Sequence, residues 1–140
     1  MKVFLGGTCA GRKWRDELIP LLKCDYYNPI VKNWCEDDRL REVAERKSSD
    51  YVLYVITENM KGVYSIAEVV DDSNKRPDKT LFCNLYMGNK KAQELTDYRK
   101  QVAHSLAATE NLVESNGAMV FHSLEAVADF LNAQVEDAIS

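Results

Sequence analysis

The stretch Gly62-Val63-Tyr64-Ser65-Ile66-Ala67-Glu68 holds the residue type best suited to chemistry in this chain. A carboxylate near the start of a helix, beside a cleft, can serve as a nucleophile or as a general acid or base. Ser65 and Glu68 also stand three residues apart, the spacing of a capping box, in which each side chain satisfies an orphan N–H of the first helical turn. Two uses therefore compete for Glu68, and its position relative to a cleft is what separates them. A second segment, Gly6-Gly7-Thr8-Cys9-Ala10-Gly11, is built of small residues that let backbone N–H groups approach an anion or a sugar hydroxyl. It is neither G-x-G-x-x-G nor a Walker loop, so a tight turn that needs glycine explains it equally well. Gly88-Asn89-Lys90 can touch a phosphate or can be a solvated loop.

The elements that must position these groups follow from local pattern. Strands are expected at 2–6, 24–28, 50–57, 79–86 and 118–122, each rich in β-branched or aromatic residues. The third, Tyr51-Val52-Leu53-Tyr54-Val55-Ile56, is apolar throughout, as a central parallel strand covered on both faces would be. Helices are expected at 12–22, 38–47, 65–73, 91–114 and 123–138, with Pro20 ending or kinking the first near Ile19 and Ser123 capping the last. Strands alternating with helices through right-handed crossovers give an α/β fold, a three-layer, doubly wound, five-stranded parallel sheet. The expected order is 2-1-3-4-5, the flavodoxin-like arrangement. Ligands of such sheets bind beyond the carboxyl ends of the strands where the winding reverses, here between the first and third strands. That rule selects the glycine loop after the first strand, the Asn28-Pro29 corner after the second, and Thr57 to Ser65 after the third. It also places Glu68 toward the cleft.

Composition narrows the classes. A chain of 140 residues with 46% hydrophobic and 29% charged residues fits one domain, residues 1–140, with one ordinary core. The net charge of -4 offers no basic field for a nucleic-acid polymer or an anionic membrane. The longest apolar run, Tyr51 to Ile56, is far below the roughly 20 residues that span a bilayer. The opening Met1 to Gly7 turns polar and flexible too soon for a secretory signal, so a cytoplasmic location is expected. Cys9, Cys24, Cys35 and Cys83 show no C-x-x-C pairing, and the histidines are His104 and His122. Reduced, packed thiols are expected, with no structural metal site and no cofactor.

Three blocks of this sequence resemble the nucleoside 2-deoxyribosyltransferase-like family, which includes deoxynucleoside 5'-phosphate N-hydrolases. They are Val3-Phe4-Leu5-Gly6-Gly7-Thr8; Tyr27-Asn28-Pro29 followed by Trp34; and Ser49 to Thr57 leading into Gly62 to Glu68. The blocks fall within residues 3–68, and the rest is matched by its strand and helix pattern alone. The resemblance implies that Glu68 is a nucleophile attacking C1' of a deoxyribosyl group, as in a retaining glycosidase. It implies a second acid eight residues before Asp50, which is Glu42, with Asp38 one turn earlier as its substitute. Glu42 can equally pair with Arg46 or Lys47 on its own helix. Gly6, Gly7, Thr8, Asn28, Trp34, Asn59, Gly62 and Ser65 are the expected substrate-binding residues. A nucleobase can stack on an aromatic ring. Trp34 is assigned that role ahead of Tyr26 and Tyr27, while Trp14 is assigned to packing beneath the first helix.

Two departures from the family stand out. Its first-strand tyrosine is Phe4 here, without a hydroxyl, and the oxygen-bearing residue six before the nucleophile is Gly62, leaving Asn59, Glu58 or Ser65 for its role. The expected activity is cleavage or transfer at the N-glycosidic bond of a deoxynucleoside or its monophosphate. The alternative is a nucleotide-binding or sensing module of the same fold without turnover. A phosphoacceptor receiver domain is disfavoured, because the first strand ends in Gly6-Gly7-Thr8 rather than in acids. The resemblance also implies a homodimer or larger homo-oligomer.

Overall fold

The computed structural model describes residues 1–139. Five parallel strands run in the order 2-1-3-4-5: β1 (Lys2–Gly7), β2 (Asp25–Tyr27), β3 (Tyr51–Thr57), β4 (Thr80–Leu85) and β5 (Met119–Phe121). The helices are α1 (Trp14–Leu18), α2 (Glu36–Ser48), α3 (Tyr64–Lys75), α4 (Asp97–Ser115) and α5 (Leu124–Ile139). The three-layer doubly wound fold is therefore as the sequence implies, with β3 in the middle of the sheet. β1 pairs with β2 from Lys2 opposite Asp25, and with β3 from Val3 opposite Tyr51. The winding reverses between β1 and β3, and both strands end at one edge.

Alternation along the strands sends successive side chains to opposite faces. Val3, Leu5, Leu53, Val55, Leu81 and Cys83 pack against Trp14 and Leu18 of α1 and against Leu124, Val127 and Leu131 of α5. On the other face Phe4, Val52, Tyr54, Ile56 and Phe82 pack against Val69 of α3 and against Leu106 and Val113 of α4. Each fully buried side chain of this size contributes roughly 1.5–3 kcal/mol relative to exposure. α2 differs, because none of its residues is buried and both Leu40 and Val43 are exposed. Charge holds it instead: Lys2 pairs with Glu45, and Arg46 reaches three acids of α3.

Several boundaries shift for identifiable reasons. The first helix is shorter than expected, because Pro20 turns its end into a 3-10 segment, Ile19–Leu21. The fourth begins at Asp97 rather than near Lys91, since the Thr96 hydroxyl accepts the Arg99 N–H at 3.2 Å and caps it there. Ser123 caps α5 as expected, accepting the Ala126 N–H at 3.1 Å. No helix is long and apolar enough to cross a membrane among the described residues.

Candidate active site

The capping box expected as the competing use of Glu68 does not form. α3 is capped at Val63 without any side-chain hydrogen bond, so Ser65 lies inside the helix and Glu68 in its second turn. Glu68 faces a cleft of about 330 Å³ at the carboxyl edge of β1, lined also by Gly6, Gly7, Trp34, Glu42 and Ser65. Its side chain is 15% exposed. Burial pushes the carboxyl up to about 7, Arg46 opposes that rise, and the negative charges of Glu42 and Asp72 add to it.

The two acids expected on α2 are placed differently. Asp38 caps α2: its Oδ2 accepts the Cys35 N–H at 2.9 Å, and Cys35 starts the helix. Glu42, one turn further along α2, lines the same cleft as Glu68. Its pairing with Arg46 or Lys47 is not observed, and Glu42 forms no ion pair among the described residues. Two carboxylates thus line one cavity, one on α2 and one on α3.

The glycine loop is shaped by close approach. Gly7 has φ of 121°, and a Cβ there would meet the Val55 carbonyl oxygen at 2.1 Å. That approach lets the Thr8 N–H donate to the same oxygen at 2.8 Å. Beneath the loop lies Arg15, 6% exposed, whose guanidinium donates to the carbonyls of Leu5 and Thr8 at 3.0 Å each and of Gly7 at 3.4 Å. Burial lowers the Arg15 pKa. Trp14 is fully buried and donates its Nε1–H to the Thr8 carbonyl at 2.8 Å, as its assignment to packing requires. Trp34 stands at the mouth of the cleft, 56% exposed.

Four of the expected binding residues act otherwise than by lining the Glu68 cleft. The Asn28 side chain accepts the Ile30 N–H at 3.1 Å, forming the turn that presents Pro29, Ile30, Val31 and Trp34. Asn59 accepts the Arg12 N–H at 3.0 Å and sits so close to Gly11, of φ 71°, that a Cβ there would meet it at 2.2 Å. Its Oδ1 is thereby committed to holding the loop. The Thr8 hydroxyl accepts the Thr57 N–H at 3.2 Å, tying β1 to β3. Thr8 and Gly62 border an adjoining cavity of about 240 Å³ with Lys61, and this cavity shares Gly7, Cys9, Tyr64 and Ser65 with the cleft.

Sequence reasoning missed Arg46, Tyr54 and Asp72. Tyr54 lies opposite Gly6, whose missing side chain makes room for the ring: a Cβ on Gly6 would come within 2.8 Å of it. The hydroxyl absent from Phe4 is thus found one strand over. It donates to Asp72 at 2.6 Å and not to Glu68. The usable signal was a tyrosine inside an apolar strand together with Glu68, Asp72 and Arg76 at four-residue spacing, one face of a helix.

A larger cleft of about 490 Å³ lies at the β4–β5 end and takes in Gly88 and Asn89. Within it His122 lies 2.7 Å from one Glu110 oxygen and Asn84 donates to the other at 2.7 Å, and Arg12 and Glu125 also line it. This cleft also holds two acids, Glu110 and Glu125, but it lies at the β4–β5 end rather than at the winding reversal between β1 and β3, where ligands of such sheets bind. Among the described residues, no group of three or more His, Cys, Asp or Glu side chains is arranged to hold a metal ion. No protein-family model, no curated protein and no solved structure matches this chain.

Proposed function

We propose that the protein cleaves or transfers the N-glycosidic bond of a deoxynucleoside or deoxynucleoside monophosphate through a covalent sugar intermediate on Glu68. The observation that carries this reading is the presence of Glu68 and Glu42 in one cleft at the winding reversal, with Trp34 at its mouth. Glu68 attacks C1' as the C1'–N bond breaks; the bond's electron pair goes to the base nitrogen, which takes a proton from Glu42. Glu42, now a carboxylate, then removes a proton from water or from an acceptor base, which attacks C1' and releases Glu68. Trp34 stacks on the departing base. The adjoining cavity, with Lys61 and the start of α3, suits a 5'-phosphate.

The experiment is adduct trapping. After incubation with a 2-fluoro-2-deoxy nucleoside analogue and digestion, the added mass is expected on Glu68. Labelling elsewhere, together with full turnover by Glu68→Ala, would remove the mechanism. The expected homodimer or larger assembly is checked by sedimentation at two concentrations, and the expected cytoplasmic location by fractionation.

A second reading, binding without turnover, is favoured by three observations. Phe4 and Gly62 supply no oxygen, and a Glu68 carboxyl titrating at about 7 can donate a hydrogen bond to a ligand instead of attacking it. Calorimetry showing tight nucleotide binding with no base released across a panel of nucleosides and nucleotides would select it.

A further inference from the structure

Arg46 approaches Glu68 from the side away from the cleft. It borders a separate surface cavity between α2 and α3 with Asp71, Asp72 and Arg76, and is not among the residues facing the Glu68 cleft. Its Nε lies 2.8 Å from the Tyr54 hydroxyl, 3.1 Å from Asp72 Oδ2 and 3.6 Å from Glu68 Oε2. Its Nη2 lies 3.3 Å from Asp71 and 3.5 Å from the Glu68 carbonyl oxygen. Asp72 is fully buried yet has its own second cation, Arg76 at 2.9 Å, and the Tyr54 hydroxyl at 2.6 Å. Asp72 and Tyr54 therefore fix the guanidinium without consuming all of its charge, and its remaining carboxylate contacts are the more exposed Asp71 at 3.3 Å and the more buried Glu68 at 3.6 Å.

We propose that Arg46 is a positioning residue for Glu68, a fixed cation behind the carboxylate that attracts it and keeps it turned into the cleft, itself held by Asp72 and Tyr54. The role attributed to Glu68 rests on the function proposed above; the pairing does not. The charged and titratable groups around Glu68 are Arg46 and Glu42 on α2, Asp71 and Asp72 on α3 and Tyr54 on β3, with Arg15 of α1 and Cys9 of the glycine loop across the cavity. Of these, Arg46 is the cation in ion-pair range of Glu68. An opposite charge at such a distance lowers a carboxyl pKa by about 1–3, and Arg46 acts in that direction on Glu68.

The test titrates the carboxyl carbon of Glu68 by NMR, its resonance assigned with Glu68→Gln, in the wild type, Arg46→Met and Arg46→Lys. The midpoint is expected to rise by about 1–2 pH units in Arg46→Met and to stay near the wild-type value in Arg46→Lys, which keeps the charge. In a protein that releases base, the rising limb of the kcat/KM profile moves up by the same interval, which a merely structural role for Arg46 would not produce. A folded Arg46→Met whose Glu68 midpoint is unchanged or lower overturns the proposal. Should Arg46→Met not fold, the wild type suffices. Its Arg46 Nε resonance is expected to titrate with the Glu68 midpoint and to become flat in Glu68→Gln; a flat resonance in the wild type overturns the proposal equally. None of these titrations needs turnover. A protein that releases no base would end the proposed reaction and leave the pairing standing, whereas a flat titration would end the pairing alone.

Discussion

Replacing Glu68 by glutamine is expected to stabilise the protein, and by an amount that depends on pH. In the folded chain the Glu68 carboxyl is pushed up to about 7 from an ordinary 4.5, with burial as the largest cause. The unfolded chain releases this proton as pH rises past 4.5 while the folded chain retains it until about 7, so wild-type stability declines across that window. Below it both states are protonated and the group contributes nothing. Above it the full penalty remains. At about 1.4 kcal/mol for each tenfold change in proton affinity, the penalty reaches on the order of 3 kcal/mol, an upper bound for a side chain 15% exposed. Glutamine keeps the shape and loses the titration, so the stability difference between variant and wild type should grow by about that amount between pH 4 and pH 8. Urea unfolding at intervals of one pH unit measures it. In thermal melts at pH 8 the same difference corresponds to roughly 6–12 °C. A difference that stays constant with pH, or a variant less stable than the wild type at pH 8, would refute the assignment of a raised Glu68 pKa. A gain in stability accompanied by loss of adduct formation would be the expected cost of seating a reactive carboxylate in a partly buried cleft.

Three further substitutions probe separate parts of the argument. Trp34→Ala, at an exposed position, should change stability by less than about 0.5 kcal/mol, yet weaken deoxynucleotide binding roughly 5- to 150-fold if a base stacks there; calorimetry reads the affinity, and unchanged affinity removes Trp34 from the site. Gly7→Ala forces a Cβ against the Val55 carbonyl at a φ of 121° and should destabilise by at least about 2 kcal/mol in urea unfolding; a loss near zero would mean that the loop relaxes freely. Tyr54→Phe deprives the fully buried Asp72 of the donor at 2.6 Å and should lower stability by about 1–2 kcal/mol, a value that chemical denaturation can exclude.

What the sequence by itself determined was whatever local pattern encodes. The apolar run of β3 required a strand covered on both faces, and the alternation of strands and helices required a parallel, doubly wound sheet. The position of Glu68 after the central strand followed from that order, because the winding rule assigns the cleft before any contact is known. Three-residue spacing could not decide between a cap and a reactive acid. The tertiary structure removed the cap, by starting α3 at Tyr64 and leaving the Glu68 carboxylate facing open space. It likewise separated Asp38, held at the start of α2, from Glu42, which shares the cleft. It turned Asn28, Asn59 and Thr8 to bracing the loops, because their polar heads meet backbone N–H groups first. Arg46, Tyr54 and Asp72 come from three elements up to 26 residues apart in the chain. Their meeting beneath Glu68 depends on how α2 and α3 cross the sheet, since the contacts that tune a buried charge are set by distances in space that no local spacing carries.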